Sequence, residues 1–343
     1  MTSPSCSPAS APDRFVAPAR DAISVIELPD RCQRLLRLQC GVIATWQAEY
    51  AELSVGAIKN LARTGRWHRL HRGVYAAFTG EPPRDAVLWA AVLRAGPRSL
   101  LSHETAAEAY GLISKPGELL HVTIPQAQRV EPISGLVIHR SALELEQIRD
   151  PRLLPPRTMV EETILDLAQA TTDFDDVIAL VARACQRRLT FPVLLRQSLA
   201  ARPKSRWRAE IREALADVAS GVHSPLEYRY LRDVERAHGL PTADRQACAV
   251  QNGRVIQRDV RYRKYHVVVE LDGAAYHPAE KRLEDNRRDN AAAARGMVTL
   301  RYGWSDVTKR PCQIAAEVAA ALRARGWTGQ LRRCGPDCQL PRE

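Results

Sequence analysis

The chain of 343 residues carries 50 Lys and Arg against 39 Asp and Glu, a net charge of +11, with 45% apolar and 26% charged residues. That balance is globular; it excludes disorder throughout and a disulfide-built miniprotein, and the length exceeds what one hydrophobic core supports. The longest unbroken apolar run, Ala86 to Leu93, is too short to cross a bilayer, so no membrane partner is expected.

Residues 1–30 are rich in Ser, Pro and Ala and lack an apolar h-region. They read as a disordered leader, not as a secretory signal. The positive charge is uneven: from residue 201 onward 27 basic residues face 18 acidic ones, so nine of the eleven excess charges lie there. A basic half points to a polyanion, nucleic acid before membrane. Eight cysteines are scattered over the chain, as expected of reduced thiols in a cytoplasm. Cys334 and Cys338 form a lone pair near the end, and since a structural zinc needs four ligands they read as free thiols in a flexible tail, 329–343.

Residues 31–80 are predicted to form a small winged helix-turn-helix. Arg31 to Gln39 carries leucines at helical spacing up to the break at Gly41. Thr45 is placed to cap a short helix, and Ser54 a second one over Val55 to Arg63, which Gly65 ends. On that second helix Val55, Ile58 and Leu61 are predicted to face inward and Lys59, Asn60 and Arg63 outward. A short helix that is apolar inside and basic outside suits a major groove. The alternation in WHRLHRGVYAA predicts a hairpin whose Arg69, His71 and Arg72 would reach phosphates. The stretch TWQAEYAELSVGAIKNLARTGRWHRLHRGVYA resembles the N-terminal domain of the abortive-infection (AbiEi-type) antitoxin family, which implies promoter binding. Glu52 departs from that resemblance, standing where glycine would sit more comfortably.

Residues 84–200 read as a mixed α+β middle region. SHETAAEAYGL reads as a capped helix, HVTIP and GLVIHRS as two strands, and RTMVEETILDLAQA and FDDVIALVARACQRRL as amphipathic helices. Words in this stretch again resemble the antitoxin family. His103, Glu104, Glu161 and Glu162 read as caps and solvated helix faces, so the region is expected to pack or to dimerise. Residues 201–222 read as a linker helix with a solvated outer face.

From 223 to 328 the predicted order is helix, three strands, helix, strand, helix. Ser224-Pro225-Leu226-Glu227 is a capping box opening the first helix, which Gly239 stops. Gln246–Gln251 and Val255–Arg261 are strands joined at Asn252-Gly253, followed by the apolar strand Tyr265–Leu271. Ala279–Arg295 is a helix, MVTLRYGW a strand and Pro311–Arg325 the last helix. Glu270 and Asp272 share one face of their strand because side chains repeat every two residues. Hairpin geometry brings Asp259 to the same end. Three carboxylates there would be costly without a cation between them, and they suit a hard divalent ion that neutralises a scissile phosphate. His277, five residues past Asp272, is placed to shuttle a proton or position a water.

HSPLEYRYL, QRDVRYRKYHVVVELDGAAYH and RRDNAAAARGMVTLRYGW resemble the very-short-patch-repair-like (Vsr-like) branch of restriction-type endonucleases, over about the last third of the chain. The resemblance implies a restriction-endonuclease-like αβββαβ core and a Mg2+ (or Mn2+)-dependent phosphodiesterase. Asp259 would be the primary metal ligand, with Glu270 and Asp272 completing the cluster and His277 as the catalytic or orienting histidine. Glu227 would contact a metal-bound water, and Arg288 and Arg301 would steady the phosphate. The acidic-x-lysine pair of the wider fold is absent, with Asp272 in the place of lysine, as in the Vsr-like branch.

Each residue has a structural alternative. Capping explains Glu227, a solvated helix face explains Arg288, and Arg301 can pair with a sheet-edge acid. Three functions follow for an α/β multidomain protein: a DNA-directed endonuclease, an antitoxin-type DNA-binding regulator with an inert nuclease fold, or a scaffold for a toxin-like protein partner.

Overall fold

Residues 28–114, 117–219, 222, 224–251, 254–272, 294 and 296–340 are described by a computed structural model. The chain divides into two units, Met1–Ala106 with Pro116–Thr158, and Ala107–Lys115 with Met159–Glu343. The division at Thr158 falls within the 84–200 stretch. Each unit combines helices with sheet, so the chain is a mixed α/β protein, with three sheets among the described residues.

The first unit opens with α1 (Asp30–Leu38), β1 (Val42–Ala44), α2 (Thr45–Tyr50), α3 (Val55–Arg63), β2 (His68–His71), β3 (Val74–Ala76) and α4 (Arg84–Ala95). The three strands form an antiparallel sheet in the order β1-β3-β2. Strand β1 is buried at all three positions because its two faces meet different cores. Ile43 packs with Cys32, Leu36, Ala48, Ile58, Leu61 and Trp67. Val42 and Ala44 pack with Val74, Ala86, Trp89 and Leu93 of the other layer. Strands β2 and β3 meet at Arg72-Gly73, where Gly73 takes φ 76°, a value open to glycine without a Cβ penalty.

Local chemistry sets the helix starts. Ser54 Oγ accepts the Ala57 N–H at 3.1 Å, as its spacing predicts. Thr45 does not cap: it is already helical, and its backbone N–H and hydroxyl both donate to the Gly73 carbonyl, tying α2 to the hairpin turn. Gln47 takes the capping role, accepting the Ala44 N–H at 3.2 Å. Val55, predicted to face inward, is exposed. It is the first helical residue, and its side chain leans back toward the helix start, beyond the core that Ile58 and Leu61 reach. Glu52 holds φ 67° in the left-handed region, the conformation for which glycine would be the easier choice.

The unit continues with β4 (Leu100–Leu101), the start of α5 (His103–Ala109), β5 (Leu120–Pro125), β6 (Leu136–Ser141) and α6 (Leu145–Ile148). The sheet order is β4-β5-β6, and β5 and β6 run parallel, with His121 opposite Val137 and Thr123 opposite His139.

The second unit begins with α7 (Val160–Ala170), α8 (Phe174–Gln186), α9 (Pro192–Ala201) and α10 (Arg208–Ala219). Their shared core includes Ile164, Leu165, Ile178, Val181, Leu195, Ile211 and Leu215. Glu161 and Glu162, expected on a solvated face, are buried instead. Thr190 donates to Glu161, and Arg202 spans Glu162 and Asp166, the latter at 2.7 Å. Arginine from a neighbouring helix makes that burial affordable for the carboxylates.

The same unit then runs through α11 (Pro225–Arg229), β7 (Asp244–Gln251), β8 (Arg254–Tyr262), β9 (Val267–Asp272), β10 (Val298–Gly303), α12 (Trp304–Lys309) and α13 (Pro311–Arg323). Ser224 Oγ caps α11 by accepting the Glu227 N–H at 3.1 Å. Beyond Arg229 the helix widens into a π-helical stretch, Tyr230–Arg236, and Gly239 follows its end with φ 71°. The sheet order is β10-β9-β8-β7, with β10 parallel to β9 and the other pairs antiparallel. Val267, Val269 and Leu271 enter a core with Val260, Tyr262, Leu226, Tyr230, Ile314 and Val318. Full burial of each such side chain contributes about 1.5–3 kcal/mol. The predicted helix Ala279–Arg295, Ala294 apart, and the turn at Asn252-Gly253 lie outside the described residues.

Candidate functional site

The carboxylates predicted from sequence are placed by strand alternation. Val260 pairs with Val269, and both point into the core. Their neighbours Asp259 and Glu270 therefore turn to the opposite face, and so does Asp272, two residues on. In β10, Tyr302 and Leu300 pack on the core side, which puts Arg301 on the carboxylate face as the register partner of Glu270. Four of the predicted residues thus share one face of one sheet.

Their electrostatics are specific. Asp259 Oδ2 accepts the Leu271 backbone N–H at 2.9 Å. Burial pushes the Asp259 carboxyl above its ordinary pKa; the Leu271 N–H opposes this, the charges of Glu227 and Asp272 push it further up, and Arg301 pulls it down. These three charged side chains therefore act on Asp259 across the site, Glu227 from α11. Arg301 Nη1 stands 3.3 Å from Asp272 Oδ2, the sheet-edge ion pair foreseen as the alternative to phosphate binding. Glu227 is buried, and Ser224 Oγ also lies 3.1 Å from its Oε1, so the capping interaction and proximity to Asp259 coexist. His277 and Arg288 lie outside the described residues.

A half-buried carboxyl whose pKa is raised by burial and by two neighbouring negative charges is a place where a cation is favoured. The donors are oxygens, which suit Mg2+ or Mn2+ held by one or two carboxylates and waters. Among the described residues, ligand atoms closing to within 4.8 Å of one another occur in two groups, His238/Cys312/Cys334/Cys338 and His103/His121/His139, and the acidic trio belongs to neither.

The N-terminal unit presents the predicted basic surface. Lys59, Asn60, Arg63, Arg69 and Arg72 are exposed, and so is Arg66, which follows Gly65. Arg63 Nη2 donates to Asn60 Oδ1 at 3.0 Å, one helical turn back, which fixes the two side chains together. Arg72 stands 3.4 Å from Glu131, but both are exposed and such a pair holds the guanidinium only weakly. His71 is partly buried, and burial and the Arg94 charge lower its pKa.

The histidine group was not visible in the sequence. His139 Nε2 lies 3.0 Å from His121 Nδ1, and His103 stacks on His139 with ring centroids 3.6 Å apart. Residues at 103, 121 and 139 share no recognisable ligand spacing; only the parallel pairing of β5 with β6 brings the last two together.

The chain matches no model of a known protein family and no curated protein.

Proposed function

We propose that the protein binds DNA through a winged helix-turn-helix at residues 31–80 and hydrolyses its phosphodiester bonds at a Vsr-like site in the last third of the chain. The observation that carries this reading is the gathering of Asp259, Glu270, Asp272 and Arg301 on one sheet face, with Glu227 raising the pKa of Asp259. In this reading Asp259, Glu270 and Asp272 would hold Mg2+ or Mn2+, and the ion would supply charge neutralisation at the scissile phosphate. Arg301 would exchange its pairing with Asp272 for a phosphate oxygen, which a guanidinium binds in a forked geometry. The exposed Lys59, Arg63, Arg66 and Arg69 would hold the duplex by its backbone. The test is plasmid nicking by the full-length protein with magnesium or manganese, expected for wild type and lost in Asp259→Ala and Glu270→Ala. A wild type inert on several DNA substrates with either metal would sink it.

A second reading is favoured by two contacts. The Leu271 N–H and the Arg301 guanidinium each serve one carboxylate of the trio without any ion. On this reading the protein is an antitoxin-type regulator whose nuclease fold is inert. It then retains specific promoter DNA, retention survives Asp259→Ala, and no nicking is seen. The scaffold reading draws on Leu38, Trp46 and Tyr50, apolar side chains exposed along a cleft between α1 and α2. A toxin-like partner seated there would bind without DNA, and pull-down from reconstituted mixtures would report it.

A further inference from the structure

Four soft donors from three distant parts of the second unit meet at its C-terminal end. His238 follows the π-helical stretch, Cys312 is the second residue of α13, and Cys334 and Cys338 come from the stretch beyond Trp327. Cys312 Sγ lies 3.7 Å from the sulfurs of both Cys334 and Cys338, and Cys338 Sγ lies 3.8 Å from His238 Nε2. All four ligand atoms fall within 4.8 Å of one another.

Those separations fit a metal centre. A tetrahedral zinc with sulfurs about 2.3 Å away and a nitrogen about 2.0 Å away holds its ligands about 3.5–3.8 Å apart. A disulfide would need sulfurs about 2.0 Å apart and would leave one thiol over. All three of these cysteines are free.

We propose that His238, Cys312, Cys334 and Cys338 bind one zinc ion as a structural site. His238 is prepared for it. Its ring is fully buried, and its Nδ1 lies 3.2 Å from the Val234 carbonyl. Nδ1–H donates to that carbonyl, which leaves the Nε2 lone pair facing the sulfurs, as in zinc-bound histidines oriented by a second hydrogen bond. The surrounding chain is set to receive a net negative centre of three thiolates and one Zn2+. Arg333 donates to the carbonyls of Cys338 and Leu340, and the Arg332 N–H donates to the His238 carbonyl at 3.0 Å. The apolar support is small, little more than Cys312, Cys338 and Leu340 with Ala316 and Leu331. In such a small core, metal binding supplies the energy that holds the segment. The site is independent of whether the carboxylate face cuts DNA.

The test uses full-length protein purified without chelator. Elemental analysis is expected to find one zinc per chain, falling to a small fraction in Cys334→Ser and Cys312→Ser. Cys334 is exposed, so its serine variant removes a ligand without opening the core. Cobalt exchanged into wild type is expected to give the intense visible bands of a tetrahedral ion and a thiolate-to-cobalt charge-transfer band. The histidine group in the other unit cannot produce that second band. Chelation is expected to make residues 329–340 cleavable by protease at least ten-fold faster. Wild type that lacks zinc and takes up no cobalt would overturn the proposal. So would cobalt bound without charge transfer, or zinc undiminished in a Cys334→Ser/Cys338→Ser double variant.

Discussion

Asp259 of β8 reaches across to β9 and accepts the backbone N–H of Leu271 through Oδ2 at 2.9 Å, between the two other carboxylates of the same face. One bond thereby fixes a side chain whose ionisation burial and the charges of Glu227 and Asp272 disfavour. The strand pairing holds Asp259 where burial, and then the charges of Glu227 and Asp272, raise its pKa, a cost that a cation bound there would relieve.

The cost has a sign that can be measured. Because the folded-state pKa of Asp259 lies above its unfolded value, ionising it weakens the native state at every pH above the folded pKa. The penalty fades as pH falls through the folded pKa and is gone below the unfolded value. Asp259→Asn keeps an oxygen to accept the Leu271 N–H and removes the charge. It is expected to raise Tm at neutral pH in metal-free buffer, with the difference from wild type closing on acidification through the carboxylate range. A lower Tm at neutral pH would contradict the assignment.

Arg301 pairs with Asp272 and would compete there with the proposed cation. Arg301→Gln is therefore expected to tighten magnesium binding by about five-fold, the equivalent of about 1 kcal/mol for a partly exposed pair. The same variant is expected to lower phosphodiester turnover. Titration calorimetry on wild type and variant decides the first effect and plasmid nicking the second.

If the protein binds DNA as proposed, the basic face of α3 would set the salt dependence of that binding. Lys59→Ala and Arg63→Ala are each expected to weaken binding similarly across unrelated sequences and to reduce the slope of log K against log salt by about 1. A variant that changes sequence preference while leaving the slope intact would place that side chain on a base edge.

In the core of the second unit, Arg245 pairs with Glu235 at 2.9 Å, both side chains being buried, and Tyr262 hydroxyl lies 3.3 Å from Glu235 Oε2. Tyr230 and Tyr262 hydroxyls stand 3.0 Å apart in the same chain of contacts. Arg245→Met leaves a buried carboxylate without its cation and is expected to cost about 3–5 kcal/mol in denaturant unfolding. The Glu235→Gln/Arg245→Met double variant is expected to recover part of the loss.

Much of the carboxylate face was legible because strand alternation is local: given Val268 and Val269 in a strand, Glu270 and Asp272 must share a side. The engagement of Asp272 by Arg301 was open, because both a phosphate and a sheet-edge acid suit a guanidinium. The burial of Glu161 and Glu162 was missed for a related reason. Helical spacing cannot announce that Arg202, from another helix, will come to meet them.

What the sequence alone determined are features decided within a turn or two of chain. The caps at Ser54 and Ser224, the turns at Gly73 and Gly239, and the alternating apolar strands need only near neighbours and backbone geometry. Tertiary structure alone decided which distant groups touch. Cys334 and Cys338 looked like a pair short of two ligands, and packing of the helix end at His238 beside Cys312 supplies both. Such meetings depend on how whole helices and strands pack, and no spacing along the chain records that.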